Sequence, residues 1–319
     1  MKYKRDIQKK KLTLCKTSTM YTPIIIFAYN RPKHLQRLID SIRQNPECRH
    51  TDLYIFADGA RKENDPDVEA VATVVNNITG FASVTPIFRT QNIGLAANII
   101  NGVSSIINKY SSVVVLEDDL VASPYLMRYM NLALEYYKDT NAFSIAGYTP
   151  TITLPHDYQY NTYAIMRNCS WGWATWRDRW NAVDWDVKNF DKFFADNDAV
   201  RKFNIAGNDL STMLLKQQQG KINSWSIRFC FASFLLQKPT IYPTQSLVSN
   251  GGADGSGTNV GNTSRYSTTM MLNDISDWNF CNANDINPQI VESFSKTYNT
   301  SQLRKIINYA KRLFWKVTH

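Results

Sequence analysis

Four apolar runs constrain this chain more than any other feature. YTPIIIFAY, DLYIFAD, SVTPIFR and SSVVVLE are spread over its first 117 residues. Each is too short for a membrane-spanning helix, which needs about 18 apolar residues. In most of them apolar residues follow one another instead of alternating with polar ones, the mark of a strand buried on both faces. Amphipathic stretches lie between them: PKHLQRLIDSI with Pro32 in its first turn, DPDVEAVATVVNNI entered through Asp65-Pro66, and GLAANIINGVSSIINKY. SPYLMRYMNLALEYY predicts a further helix that Ser123 would cap, and AFSIAGY a further short strand. The alternation predicts an α/β fold, a mostly parallel Rossmann-like sheet with helices on both faces.

The rhythm stops near residue 150. Beyond it the chain is aromatic-rich, with helices expected near 208–219 and 224–237 and a Gly/Ser/Asn/Thr loop, GGADGSGTNVGNTS, at 251–264. No linker separates the two parts, so 22–150 and 151–300 read as halves of one unit. They are flanked by a basic tail at 1–21 and a helix at 301–319. If 173–180 is helical, Trp173, Trp176 and Trp180 share one face and belong mostly to the core. Trp171 and Trp173, beside Gly172, are the better candidates for stacking on a ligand.

The formal charge of +9 raises the question of nucleic acid, and its distribution answers it. The first 16 residues carry seven Lys/Arg against Asp6, and residues 301–319 carry five with no acid, leaving about −2 between them. The central unit is not basic, so no nucleic-acid partner is expected. In SQLRKIINYAKRLFWKVTH the apolar positions form one helical stripe surrounded by cations. That pattern suits an anionic membrane surface, and a solubilising or self-docked tail is the plain alternative. The apolar stretch after the basic N-terminus is short, leads into AYNRP and lacks a cleavage site, so it reads as a strand and not a signal peptide. Five scattered cysteines without metal-binding spacing read as reduced thiols of a cytosolic protein. The four histidines show no metal or triad spacing.

The run VVVLEDDL ends a buried strand in three carboxylates, Glu117, Asp118 and Asp119. Such a triplet is often only a solvated turn at a helix entry. Here it sits at the carboxyl end of a strand in a parallel sheet, where ligands bind. Adjacent carboxylates raise one another's pKa unless a cation neutralises them, and Mn²⁺ or Mg²⁺ shared with a diphosphate does so. Residues alternate in direction along a strand, so Glu117 and Asp119 are expected to share a side and Asp118 to point elsewhere. Other strand ends supply Arg31, Asp58, Arg89 and Asn92, a polar set suited to a nucleotide diphosphate with metal. A nucleotidyltransferase would want a Gly-rich phosphate loop after the first strand and a dinucleotide oxidoreductase GxGxxG, and AYNRPKH offers neither.

The ordered set PIIIFAYNRP, IFADG, QNIGLAANI and VVVLEDDL resembles the GT-A glycosyltransferases, family 2-like bacterial sugar transferases. LEDDL is similar to the EDD version of the DxD motif in the N-acetylglucosaminyltransferase I type. WGWATW and SWSIRF…YPTQSLVSNGG…DGSGT are similar to bacterial enzymes of surface-polysaccharide synthesis. The resemblance spans roughly residues 22–260. It implies a GT-A fold with a C-terminal acceptor half, and a metal-dependent, inverting hexosyl or N-acetylhexosaminyl transfer. The donor would be a nucleotide-sugar such as a UDP-sugar, and the acceptor a glycan or lipid-linked glycan at the cytoplasmic membrane face.

The resemblance further implies Asp119 as metal ligand, Glu117 and Asp118 toward the donor, Asp58 at the base and Arg31 at the nucleotide. Tyr29, Arg89, Asn92 and Asn98 complete the nucleotide-sugar set, and Trp171 and Trp173 border the acceptor. An inverting enzyme needs a general base. Relatives often carry an aspartate near the segment matching INSWSIRF, where this chain has Asn223, Ser224 and Ser226. The substitutes are Asp254 in DGSG, then Asp209, with Asp184 and Asp186 more remote. The alternatives are a carbohydrate-binding protein with decayed catalysis and a nucleotidyltransferase on a similar sheet.

Overall fold

The structure is a computed structural model that describes residues 21–251, 266, 268–275, 277–301 and 315. The expected N-terminal tail, most of the Gly/Ser/Asn/Thr loop with Asp254, and the 301–319 helix apart from Ser301 and Trp315 lie outside the described residues.

The first half runs β1 (Ile24–Ala28), α1 (Pro32–Ile42), β2 (Asp52–Ala57), α2 (Pro66–Asn76), β3 (Ser83–Phe88), α3 (Leu95–Ile107) and β4 (Ser112–Glu117). Then come β5 (Leu120–Ala122), α4 (Leu126–Tyr137) and β6 (Ser144–Ala146). The second half holds β7 (Thr162–Ile165), β8 (Trp173–Trp176), α5 (Arg177–Asn181), α6 (Phe190–Ala195), α7 (Asn197–Phe203) and α8 (Leu210–Gln218). It continues with α9 (Trp225–Leu235), β9 (Thr240–Pro243), β10 (Val248–Asn250) and α10 (Pro288–Tyr298).

Eight strands form one sheet in the order β3-β2-β1-β4-β8-β6-β9-β7. The first four are parallel, β8 runs antiparallel between β4 and β6, β6 and β9 are parallel, and β7 closes the far edge antiparallel. This is a mixed α/β fold on a mainly parallel sheet. The central strands are as apolar as their sequences imply: Ile24, Ile25 and Ile26 are fully buried, as are Val113 to Leu116. Successive residues of β4 face opposite layers, Val114 and Leu116 one core cluster and Val113 and Val115 the other. Burying each such side chain contributes roughly 1.5–3 kcal/mol. Leu35, Leu38, Ile39 and Ile42 form the apolar stripe that docks α1 on the sheet.

The structure corrects the sequence expectation in three places. Residues 173–176 are a strand and not the start of a helix. In WATW, Trp173 and Trp176 therefore fall on opposite faces of the sheet. Trp173 stacks between Trp180, at 5.7 Å, and Trp225, at 4.8 Å. Second, β5 and β10 form a separate antiparallel ribbon that no periodicity announced. Third, Ser123 stands two residues before the Tyr125 cap of α4, its hydroxyl accepting from the Tyr125 amide and donating to the Met271 carbonyl.

Four described cysteines, Cys48, Cys169, Cys230 and Cys281, are free and buried. Among the described residues no helix is long and apolar enough to cross a membrane. Trp315 is buried, its ring 5.5 Å from Phe190 and 4.9 Å from Phe194 of α6.

Candidate active site

A cavity of about 680 Å³ opens at the carboxyl ends of β1 and β4 and extends beneath α8, α9 and α10. That is ample for a nucleotide-sized ligand. On the β1 side Tyr29, Asn30 and Arg31 lead from the strand into α1 and line it. On the β4 side Glu117, Asp118 and Asp119 all line it. The predicted alternation of these acids does not occur because β4 ends at Glu117 and the chain turns at Asp118 and Asp119.

Hydrogen bonds fix that turn from two directions. The Asp118 amide donates to the Phe27 carbonyl (3.0 Å), and its carboxylate accepts from the Tyr29 amide (3.2 Å). The Asp119 carboxylate accepts from Arg31 Nη1 at 3.2 Å, while its carbonyl accepts from the Gly251 amide at 2.7 Å.

Electrostatics match the prediction of mutual repulsion. Burial, then the charges of Asp119 and Asp118, push the Glu117 carboxyl well above its ordinary value. Burial and Asp119 lift Asp118 to about 7. Asp119 is also raised by burial, opposed by the positive charges of Arg31 and His34. His34, read from sequence as an unremarkable histidine, thus stands within electrostatic reach of the turn.

Among the described residues no three His, Cys, Asp or Glu side chains converge tightly enough to cage an ion. The turn offers something different: hard carboxylate oxygens, too crowded to ionise together, beside open cavity. One or two such carboxylates completed by substrate phosphate oxygens make a usual Mg²⁺ or Mn²⁺ site, so the residues fit the expected ion.

Asp58 is 5% exposed, and its carboxylate accepts from the amides of Gly59, Ile93 and Gly94, each at 3.0 Å. It lines the cavity, but its shown work is to hold the β3–α3 loop. Both glycines are required here. A Cβ on Gly59 would collide with the Gln91 backbone, and Gly94 has a φ of 77°. Asn92 donates to the Gly59 carbonyl (2.9 Å) and accepts from Arg61 Nε (3.3 Å), and the Arg61 guanidinium lies 5.5 Å from the Tyr29 ring centre. Tyr29, Asn92 and Asn98 line the cavity with Arg61.

Arg89 does not line it. Its Nε donates to Asn98 at 3.1 Å, its guanidinium covers the Phe56 ring, and it lines a separate groove of about 320 Å³ with Tyr54 and Lys109. The Arg89 expectation is therefore corrected: the side chain leaves the strand end toward Phe56.

The second half of the chain builds the other end of the cavity. Trp171 lines it, edge-on to Tyr148 at 4.7 Å and to Tyr266 at 5.4 Å. Trp173 does not; at 1% exposure it belongs to the core, so its expected acceptor contact is corrected. Asp209 lines the cavity but is held by Arg167 through two hydrogen bonds of 2.7 and 2.9 Å. A carboxylate committed to an arginine is a poor general base, so that candidate is corrected too. Asp184 accepts from the Asp186 and Lys188 amides in a turn, and neither aspartate lines the cavity. Asn223, Ser224 and Ser226 line it, Ser226 accepting from Asn168 at 3.0 Å.

Sequence reasoning missed Arg61, Arg167, Tyr266 and Tyr298, all in the cavity wall. Arg61 follows Asp58-Gly59-Ala60 at a strand end and was open to the rule that found Arg31. Arg167 and Tyr298 carry no local signal, because tertiary folding alone brings the Tyr298 ring 3.9 Å from the guanidinium.

Sheet, acidic turn and cavity are consistent with a GT-A glycosyltransferase fold. A family model described as Glycosyl transferase family 2 matches residues 24–199, more than half of the chain, and the chain belongs to that family. No curated protein matches. Among solved structures, a mannosyltransferase from Pyrobaculum calidifontis in complex with GDP-Man and Mn²⁺ is 16% identical, with a TM-score of 0.36. That match covers 50% of this chain and 45% of that one, less than half its length. A putative glucose-1-phosphate thymidylyltransferase from Bacillus anthracis in complex with a sucrose is 11% identical, with a TM-score of 0.38, covering 72% of this chain and 90% of that one.

Proposed function

We propose that this glycosyltransferase is metal-dependent and inverting. It moves a hexosyl or N-acetylhexosaminyl group from a UDP-sugar or similar donor to a surface-polysaccharide or lipid-linked glycan acceptor. One observation carries this: three half-buried, mutually repelling carboxylates share a large cavity with two arginines, Arg31 and Arg61. In this reading Asp119 holds the cation, helped by Asp118 or Glu117. A bound Mn²⁺ or Mg²⁺ would neutralise charge building on the diphosphate as the sugar–oxygen bond breaks. Tyr29 and Arg61 offer a ring face and a planar cation to the base. Arg31, beside Asp119, is placed to meet phosphate oxygens. We assign the general base to Asp254. The basic tails would bring the enzyme to the anionic inner face of the cytoplasmic membrane.

The test is a thermal-shift panel of nucleotide-sugars with and without Mn²⁺, followed by NMR of the product's anomeric configuration. Cation-dependent stabilisation by one donor and an inverted product are expected. No stabilisation by any nucleotide-sugar sinks the proposal.

One observation favours a second reading, a sugar-binding protein without transfer. Among the described carboxylates of the cavity outside the acidic turn, Asp58 and Asp209 are both committed to structural hydrogen bonds. Donor binding without turnover in the presence of acceptor glycans would decide for it.

A further inference from the structure

We propose that the acceptor end of the cavity selects an uncharged sugar, and that Arg167, with its charge cancelled by Asp209, is the residue that reads it. The inference rests on the transferase reading only for which end receives the acceptor. Of the described cavity-lining residues from 148 onward, Arg167 and Asp209 alone are charged. They are bonded to each other at 2.7 and 2.9 Å, so the described residues of this end present no net charge to a ligand. The donor end, by contrast, carries an excess of acid over arginine.

Arg167 is 9% exposed and lines the cavity. A guanidinium has five N–H donors, and Asp209 takes two of them. The remaining donors have no partner among the described residues, on a side chain whose charge is stabilised against burial by the Asp209 carboxylate. A sugar's hydroxyl and ring oxygens satisfy such donors, and the Tyr298 ring against the guanidinium fixes the plane of the fork. Trp171, near-perpendicular to Tyr148 and Tyr266, lines the same end and offers aromatic surface to the apolar side of a pyranose. A carboxylated sugar would bring a net charge against Arg167, the one cation among the described residues of this end and already paired with Asp209, an unfavourable burial.

The experiment is a binding competition by saturation-transfer NMR on the full-length protein, with and without UDP and Mn²⁺. The probes are methyl glycosides of neutral hexoses and N-acetylhexosamines and of the matching hexuronic acids. The wild type is expected to prefer a neutral glycoside by at least about tenfold. Asp209→Asn frees the guanidinium charge and is expected to shift the preference toward the hexuronic acid by at least about tenfold, an effect that mere structural support would not produce. Trp171→Ala is expected to weaken every glycoside alike. Equal or tighter hexuronic acid binding by the wild type overturns the proposal, as does an unchanged ratio in folded Asp209→Asn or no glycoside binding at all. If Asp209→Asn does not fold, the wild-type ratio decides. Nucleotide-sugar affinity is read separately: its absence beside an intact neutral preference sinks the transferase reading and leaves this one standing.

Discussion

The Arg31 guanidinium stands 3.2 Å from the Asp119 carboxylate, joining the entry of α1 to the turn that ends β4. Both side chains are partly open to the cavity, so the pair contributes little to stability, about 1 kcal/mol or less. In the proposed function its weight is in placement: a diphosphate and a metal ion would each replace one partner. Asp119→Ala is expected to abolish Mn²⁺-dependent binding of nucleotide-sugar while changing the melting temperature by only a few degrees. Calorimetric titration of UDP in Mn²⁺ measures this, and unchanged affinity counts against Asp119 as a ligand.

The acidic turn gives the cation-free protein a defined pH response. Asp118 keeps its proton in the folded state up to about 7, whereas in the unfolded chain it ionises near the ordinary aspartate value of 3.8. Folding therefore takes up a proton between those values, and stability from this group falls as pH rises through the window and levels off above it. Asp118→Asn is expected to flatten that slope in urea melts across the same range. A wild-type curve that rises from pH 4 to pH 7, with the variant parallel to it, contradicts the assignment.

The two neighbouring tryptophans should part company on substitution. Trp173, stacked between Trp180 and Trp225, is expected to cost about 3–5 kcal/mol when changed to Ala. Trp171→Ala, half-buried at the cavity wall, is expected to cost less and to weaken acceptor binding. Denaturant melts and glycoside titrations on the two variants separate the roles; equal stability losses would contradict the strand assignment.

Deleting residues 301–319 removes Trp315 from its seat on Phe190 and Phe194. We expect a loss of about 3–5 kcal/mol, the range for truncating a buried aromatic, together with weaker flotation on anionic vesicles. Trp315→Ala separates the effects: it should reproduce the stability loss and retain the basic charge. Undiminished flotation of the truncated protein rejects the membrane role.

Much of the first half was legible because its signals are local. Apolar runs such as Ile24–Ala28 and stripes such as Leu35, Leu38 and Ile42 are written in consecutive residues, and strand-end chemistry follows from parallel topology. The second half was less so. WATW supports both periods, and only its seat between β4 and β6 makes it a strand. Side-chain direction was the least legible property. Arg89 and Asp209 occur where a functional residue is expected, yet one lies over Phe56 and the other is taken by Arg167. Arg167 and Tyr298 meet across more than a hundred residues of chain, a contact no spacing rule anticipates.

The antiparallel β8 has a consequence for dissecting the enzyme. Residues 114–117 of β4 pair on one side with β1, and residues 112–115 pair on the other with residues 173–176. A fragment cut near residue 150 would present Val113, Val114 and Val115 as a bare, fully apolar ladder, a template for self-association. The donor-side piece is thus expected to precipitate when expressed alone and to become soluble once the chain extends past Trp176.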